Sequence, residues 1–177
     1  MSDIANPAGL EGFEFLEYCT QDAAKLHEQF VAMGFSVAGQ HKTQAVTLYQ
    51  QNDIRFLVNT SPSSAAAEFA KAHGPSVSAM GFRVRDAKAA FQHAIAQGAI
   101  PFSETHPIYN LPAIQGVGGS VIYFIDYQNQ TASYADQFAM TPTARTSGHG
   151  LTYIDHVTHN LHRGNMKTWA DFYSSIF

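Results

Sequence analysis

A strand-like stretch followed by a helix-like stretch appears three times along the chain. The three stretches are "GFEFLEYCTQDAAKLHEQFVAMGF", "SVSAMGFRVRDAKAAFQHAIAQGA" and "LTYIDHVTHNLHRGNMKTWADFYSSIF". In each of them, apolar residues first alternate with a period of two and then recur at helical spacing. This repetition predicts three copies of one structural unit.

The helices of the first two units have recognisable boundaries. Asp22 and Asp86 stand where an N-cap is expected, and Gly34 and Gly98 stand where the helices should end. The residues between them place alanine, leucine and phenylalanine on one helical face. The sequence therefore predicts two amphipathic helices that begin directly after these aspartates.

The first strand, "GFEFLEYC", shows the clearest alternation. On a regular strand, Phe13 and Phe15 would point to one side, and Leu16 and Tyr18 to the other. Cys19, at the end of this stretch, is expected to be a half-buried strand residue.

Further strands are predicted around these units. "SVAGQHKTQAVTLYQ" and "IRFLVNT" read as strands joined by the turn "QND", and "SVIYFID" reads as a strand after a glycine-rich loop. The glycines of "GVGGS" precede a strand rather than a helix, so they favour a turn or bulge over a phosphate-binding loop. Each complete unit is close to β-α-β-β-β. The predicted fold is α+β, with paired βαβββ modules forming an open β-barrel, plus the first strand and helix of a second such domain.

The composition changes after Asp126. The stretch that follows is rich in Thr, Ala, Ser and Gly, as interdomain linkers are. We therefore predict an N-terminal barrel over residues 1–126, a linker over 127–147 and the start of a second domain over 148–177. The apolar face of the last helix is expected to find little to pack against, so a natural domain should not end there.

Composition and charge limit the class of protein. Hydrophobic residues make up 45% of the 177 residues and charged residues 14%, which is typical of a globular protein. The net charge of −4, with scattered basic residues, argues against nucleic acid or an anionic membrane as the main partner. No apolar run approaches the roughly 20 residues of a membrane span, and the N-terminus lacks a secretory signal. The single cysteine, Cys19, cannot form an internal disulfide, which favours a reducing, cytoplasmic setting.

Candidate chemistry is concentrated in "GLTYIDHVTHNLHRG", residues 150–164. Residues two apart share a face of a regular strand, so His156 and Thr158 would lie together and His159 opposite them. The two histidines therefore cannot both bind one metal. From the pattern alone, a single histidine on a strand is more often a hydrogen-bonded core residue than a ligand. Aligning the units places Phe15 and Ala79 where His156 stands, and neither can bind a metal, so the first barrel is predicted to be a scaffold without a metal site.

Four segments carry a family resemblance: "NPAGLEGFEFLEY", "HGPSVSAMGFRVRDAKAAF", "NLPAIQGVGGSVIYFID" and "GLTYIDHVTHNLHRGNMKTWADFYSSIF". In this order, and over essentially all 177 residues, they resemble the N-terminal half of bacterial members of the 4-hydroxyphenylpyruvate dioxygenase family. That family belongs to the vicinal-oxygen-chelate superfamily, which is built from paired βαβββ modules. Its architecture agrees with the repeat found in this sequence.

The resemblance implies a non-haem Fe(II) enzyme of tyrosine and phenylalanine catabolism that converts 4-hydroxyphenylpyruvate and O2 to homogentisate and CO2. In the family, two histidines and one glutamate of the C-terminal domain hold the iron, leaving positions for the 2-oxo acid and O2. The first of these ligands matches His156, which is thereby implied as a catalytic metal ligand. Thr158 is expected to line the substrate pocket. Asp155 is expected to hold the strand or a neighbouring group by hydrogen bonds, and His159 to have a structural role or to support the metal ligands.

The other two iron ligands and the substrate contacts of the family fall beyond Phe177, so the chain alone is expected to be inactive. The resemblance implies a small 2-oxo acid and O2 as partners, no nucleic acid or membrane, and a homo-oligomer. Two alternatives stay open. One is a fragment of 4-hydroxymandelate synthase, and the other is a non-catalytic module that binds a small ligand or serves as a scaffold.

Overall fold

The computed structural model describes residues 5–103, 109–127 and 134–177. The strands are β1 (Leu10–Cys19), β2 (Ser36–His41), β3 (Val46–Gln51), β4 (Ile54–Asn59), β5 (Ser76–Val84), β6 (Ala113–Gln115), β7 (Val121–Ile125) and β8 (Phe138–Met140). The helices are α1 (Ala23–Ala32), α2 (Ala65–His73), α3 (Ala87–Ala96), α4 (Tyr134–Gln137) and α5 (Met166–Ile176). Among these described helices, none is long and apolar enough to cross a membrane.

The strands form one open sheet in the order β6-β7-β5-β1-β4-β3-β2-β8. At its centre β1 and β5, the first strands of the two units, pair antiparallel. Each is parallel to a later strand of its own unit, β1 to β4 and β5 to β7. The two units therefore meet as equivalent halves, and the predicted α+β fold with an open barrel of paired modules is confirmed.

The predicted helix boundaries are confirmed. The carboxylates of Asp22 and Asp86 each accept a hydrogen bond from the backbone N–H three residues later, at 3.0 and 2.9 Å. Gly34 and Gly98 follow the ends of α1 and α3 with φ of +91° and +89°. Glycine adopts this left-handed conformation without the steric cost of a side chain.

The prediction that Phe13 and Phe15 share one side of β1 is wrong. Phe13 pairs with Phe82 whereas Phe15 pairs with Gly81, so β1 carries one extra residue, a β-bulge. The Phe13 ring lies 5.1 Å from the Phe82 ring, in the same core cluster as Leu16. Because the bulge shifts the alternation by one residue, Phe15 lies in the opposite core.

Two cores lie on the two faces of the sheet. On one face, apolar residues of β5 and β7 pack against the alanines of α3 and the end of α5, and those of β3 and β4 pack around Phe30 of α1. The other face encloses a core inside the open barrel, to which no α-helix of eight residues or more contributes in the described ranges. Its main buried side chains are Phe15, Val46, Leu48, Leu57, Tyr123, Ile125 and Phe138.

The expectation that the last helix would find little to pack against is wrong. Ile176 is fully buried, and the ring of Phe177 lies 5.0 Å from that of Phe82. His93 Nε2 is 3.2 Å from the carbonyl oxygen of Ser175, which joins α3 to α5. The outer face of β5 and α3 thus supplies the apolar partner that the sequence pattern did not reveal.

Part of the predicted linker belongs to the sheet. Within residues 127–147, β8 pairs antiparallel with β2, with Gly39 opposite Met140 and His41 opposite Phe138. The Phe138 side chain is buried in the barrel core. The division of the chain at residue 126 stays a prediction, but the barrel takes its last strand from beyond that point.

Candidate functional site

The segment that carries the candidate metal ligand runs along the outside of the barrel. Residues 150–161, predicted to contain a strand, form no ladder with any strand in the described ranges. The backbone N–H of Asp53 donates to the carbonyl oxygen of Thr152 at 3.1 Å, and Ile154 and Val157 pack on the core beside β5 and α5. Because these two inward residues are three apart, the alternation of a regular strand is not kept here.

His156 is largely exposed and is paired with its neighbour. Its Nδ1 lies 2.8 Å from Asp155 Oδ2, with the two side chains 75% and 74% exposed. An ionised carboxylate can only accept, so Nδ1 donates this hydrogen bond, and in the neutral ring the lone pair lies on Nε2. The expected hydrogen bond of Asp155 is present, and it orients an imidazole whose second nitrogen is open to a ligand.

His159 has different surroundings. It is half-buried, and its ring meets the edge of Tyr173 with centroids 5.6 Å apart. Burial lowers the pKa of His159 and raises that of Tyr173 to about 12. His159 is therefore a packed side chain whose neutral form is favoured by burial, in contrast to the exposed His156.

Thr158 and His156 are not brought together. Thr158 lines a cavity of about 440 Å³ between the segment and the α2–β5 corner, together with His73, Ser76 and Ser120. His156 and His159 both line a second cavity of about 440 Å³, between the same segment and α5. The prediction that a regular strand places these two imidazoles on opposite faces is therefore wrong, because the segment is not a strand. The role of Thr158 in a substrate pocket stays a prediction.

The donor set can be tested against Fe(II). No group of three or more His, Cys, Asp or Glu side chains able to hold a metal occurs in the part of the chain that the structure describes. His156 fits one ligand position, because a carboxylate on the other ring nitrogen is the usual surrounding of a metal-binding imidazole. A facial triad needs three donors. The described residues therefore offer one suitable donor and do not form a complete site.

A buried charge cluster on β1 was missed by the sequence analysis. Glu14, 1% exposed, lies 3.3 Å from an Arg55 nitrogen and 3.0 Å from an Arg83 nitrogen. The phenols of Tyr127 and Tyr134 donate to its Oε1 at 2.5 and 3.0 Å. Two tyrosines that are seven positions apart in the sequence are thus hydrogen-bonded to the same carboxylate.

The signal for this cluster was weak. Alternation assigns the glutamate of "FEF" to the side opposite both phenylalanines, whereas after the bulge Glu14 lines the same barrel-side cavity as Phe15. A basic residue inside each of two apolar strands, "IRF" and "FRV", was the available hint. Buried charges in a sheet require partners, and those arginines called for a buried acid.

The Tyr127 phenol gives a prediction for alkaline pH. Burial, then the hydrogen bond to Glu14 and its charge, raise the pKa of Tyr127 to about 12, against an opposing effect of Arg55 and Arg83. Because the folded state holds this proton more tightly than the unfolded chain, the stabilisation is complete below pH about 10 and is lost as the pH rises through about 12. We expect Tyr127→Phe to remove one phenol from the spectrophotometric titration near pH 12. Tyr153→Phe, at an exposed position, is the control, and an unchanged amplitude near pH 12 in Tyr127→Phe would contradict the assignment.

Comparison with known proteins relates this geometry to one family. The family model described as "Hydroxyphenylpyruvate dioxygenase, HPPD, N-terminal" matches residues 4–139. The 4-hydroxyphenylpyruvate dioxygenase of Legionella pneumophila (strain Corby) is 52% identical over 173 residues, which are 97% of this chain and 49% of that protein. The chain thus spans about half the length of the curated relatives it matches.

Two solved structures share the fold. A xylose isomerase-like TIM barrel/4-hydroxyphenylpyruvate dioxygenase fusion protein superposes with a TM-score of 0.87 at 33% identity, covering 97% of this chain and 28% of that one. A mutant of 4-hydroxymandelate synthase from Streptomyces coelicolor superposes with a TM-score of 0.76 at 20% identity, covering 95% of this chain and 52% of that one, which shows the fold alone. The family match, the Legionella relative and the shared fold agree. The chain belongs to the hydroxyphenylpyruvate dioxygenase N-terminal family.

Proposed function

We propose that this chain is the N-terminal half of a 4-hydroxyphenylpyruvate dioxygenase, which converts 4-hydroxyphenylpyruvate and O2 to homogentisate and CO2. The observation that carries the proposal is the 52% identity to the Legionella dioxygenase over 97% of the chain. The proposal includes a cytoplasmic homo-oligomer that acts in tyrosine and phenylalanine catabolism. Its partners are a small 2-oxo acid and O2.

In this proposal His156 is the first Fe(II) ligand. Fe(II) supplies a Lewis-acidic centre at which the 2-oxo acid and O2 meet. The contribution of this chain is the imidazole, with Nε2 available and the ring oriented by Asp155. The exposure of His156 supports the role, because an exposed imidazole is accessible to donors on a second domain.

The first test uses the chain with and without a catalytic half. We expect the purified 177-residue chain to form no homogentisate, because it supplies one of three iron ligands. A chimera that joins residues 1–177 to the C-terminal half of the Legionella dioxygenase should form it, with the intact Legionella enzyme as the control. Homogentisate from the chain alone, or an inactive chimera that is folded, would contradict the proposal.

The product of the natural protein needs a different test. The fold similarity to 4-hydroxymandelate synthase keeps hydroxylation of the benzylic carbon as a second candidate reaction. Sequencing the source coding DNA past the codon for Phe177, followed by product analysis of the expressed protein, separates the two. Hydroxymandelate as the product would assign the synthase reaction, and a stop codon at that point would remove the enzyme proposal.

A ligand-binding role for the barrel interior has less support. The interior cavities lined by Glu17 and Glu14 have volumes of about 10 and 20 Å³. Such volumes hold about one water molecule, whereas sites for small organic ligands measure roughly 300 Å³ or more. The side chains of the barrel core occupy the space that a ligand would need at these two places.

A further inference from the structure

The turn between β3 and β4 holds the segment that leads to His156. The side chain of Gln51, the last residue of β3, is fully buried. Its Oε1 accepts hydrogen bonds from the backbone N–H groups of His149 and Leu151, at 2.7 and 3.2 Å. Its Nε2 donates to the carbonyl oxygen of Met33 at 2.9 Å, where α1 ends. The Gln51 amide, at the end of β3, therefore connects the end of α1 with the segment that leads to His156.

The next residue extends this contact. Asn52, with φ of +47°, donates its backbone N–H to the carbonyl oxygen of Thr146 at 2.5 Å. Its side-chain amide donates to the carbonyl oxygens of Ser147 and Leu151, at 3.2 and 2.7 Å. The backbone N–H of Asp53 adds the hydrogen bond to Thr152 described above. The segment pairs with none of the described strands, and the turn supplies hydrogen bonds to its backbone instead. We call residues 51–53 the turn clamp.

The clamp also restricts the space around the segment. A Cβ added at Gly34 would lie 2.7 Å from the backbone nitrogen of His149, closer than real Cβ atoms approach. A Cβ added at Gly148, where φ is +49°, would collide with the Gly34 carbonyl oxygen and the Gln51 amide. Two glycines and one buried amide thus seat the segment directly on the barrel.

We propose that Gln51 is a positioning residue for the iron site, an inference that rests on the proposed function. The clamp fixes residues 149–152, and the packing of Ile154 and Val157 fixes the chain immediately around His156. Only three residues lie between Thr152 and His156, so the backbone position of His156 is tied closely to the barrel. The N-terminal barrel thereby sets where the first ligand is presented to a second domain.

The hydrogen-bonding groups around residue 51 match a glutamine side chain. The site needs one oxygen that accepts two N–H groups and one N–H that donates to a carbonyl, and a side-chain amide supplies both. A glutamate could accept both bonds but would place a carboxylate beside the Met33 carbonyl oxygen. A methionine of similar length could make none of the three bonds. These two substitutions therefore separate the acceptor role from the donor role.

The first arm of the test measures amide exchange in the 177-residue chain. We expect Gln51→Met to raise the hydrogen-exchange rates of the His149 and Leu151 amides about tenfold, the size expected for the loss of one hydrogen bond. Gln51→Glu should raise them less, because it keeps the acceptor oxygen. Gln40→Met, at an exposed position on β2, is the matched control and should leave both rates unchanged.

The second arm measures Fe(II) affinity in the chimera with the Legionella C-terminal half. We expect Gln51→Met to raise the Fe(II) dissociation constant about tenfold at a temperature where both proteins are folded, in the range seen for residues that orient metal ligands. A merely structural role would lower the unfolding midpoint and leave the dissociation constant unchanged. That result, or exchange rates equal to those of the control, would overturn the inference. A parent chimera that binds no Fe(II) would instead contradict the proposed function.

Discussion

Replacing His156 with alanine in the completed enzyme is expected to abolish Fe(II) binding, whereas replacing His159 is expected to leave iron bound. With His156 removed, two donors remain of the three that a facial triad requires, and both affinity and geometry are lost. His159 instead packs its neutral ring against Tyr173. His159→Ala should therefore lower the free energy of unfolding by about 1 kcal/mol, the scale of one aromatic contact.

These two variants are a matched pair, because they remove the same side chain from positions three residues apart. Fe(II) content after dialysis and the urea midpoint of each variant provide the measurement, with the unmodified chimera as reference. Equal loss of iron in both variants would show that the two imidazoles do not face different surroundings in the whole protein. In that case the different exposure of the two histidines would not indicate which of them binds the metal and which only packs.

Replacing Glu14 with leucine is expected to lower the free energy of unfolding of the chain by about 3–5 kcal/mol, as when one partner of a buried ion pair is removed. The substitution leaves Arg55 and Arg83 without the carboxylate that both contact. It also removes the acceptor of two tyrosine phenols. The loss is large because the remaining partly buried charges keep their desolvation cost.

Urea unfolding of the 177-residue chain measures this effect. Glu11→Leu is the matched control, because Glu11 lies on the same strand with its side chain exposed, and surface changes of this kind stay within about 0.5 kcal/mol. The loss of unfolding free energy for Glu14→Gln should lie between the losses for Glu14→Leu and Glu11→Leu, since glutamine keeps one acceptor oxygen and the side-chain shape. A free energy for Glu14→Leu equal to that of the control would mean that the cluster does not contribute to folding.

Local signals were sufficient for much of the fold. The capping aspartates and the glycines after α1 and α3 act within a few residues, so their positions determine the helix boundaries directly. The α+β class and the repeat of modules followed from periodicity, which the sheet order confirms. The sides of Phe13 and Phe15 could not be predicted, because the bulge depends on the pairing of β1 with β5.

Long-range contacts explain what the sequence did not reveal about the site. His156 was identified by resemblance, and Asp155 was expected to hydrogen-bond to the strand or to a neighbouring group, without His156 being named as the partner. The hydrogen bonds between the turn clamp and residues 149–152 were not predicted. The sequence "QND" indicates that a turn forms, but it does not show which backbone groups its side chains bind. The packing of α5 on α3 was missed for the same reason, since an apolar face does not identify its partner.

The pairing of β8 with β2 has a consequence for how the barrel can be isolated. A strand at the border of a sheet offers unpaired backbone groups that can template association with another chain. In this protein the long border of β2 is covered by three residues that follow the predicted linker boundary, and the covering strand is itself short. A barrel cut at residue 126 would expose that border and the space left by Phe138. Soluble expression of the barrel on its own therefore requires that the expressed segment include β8.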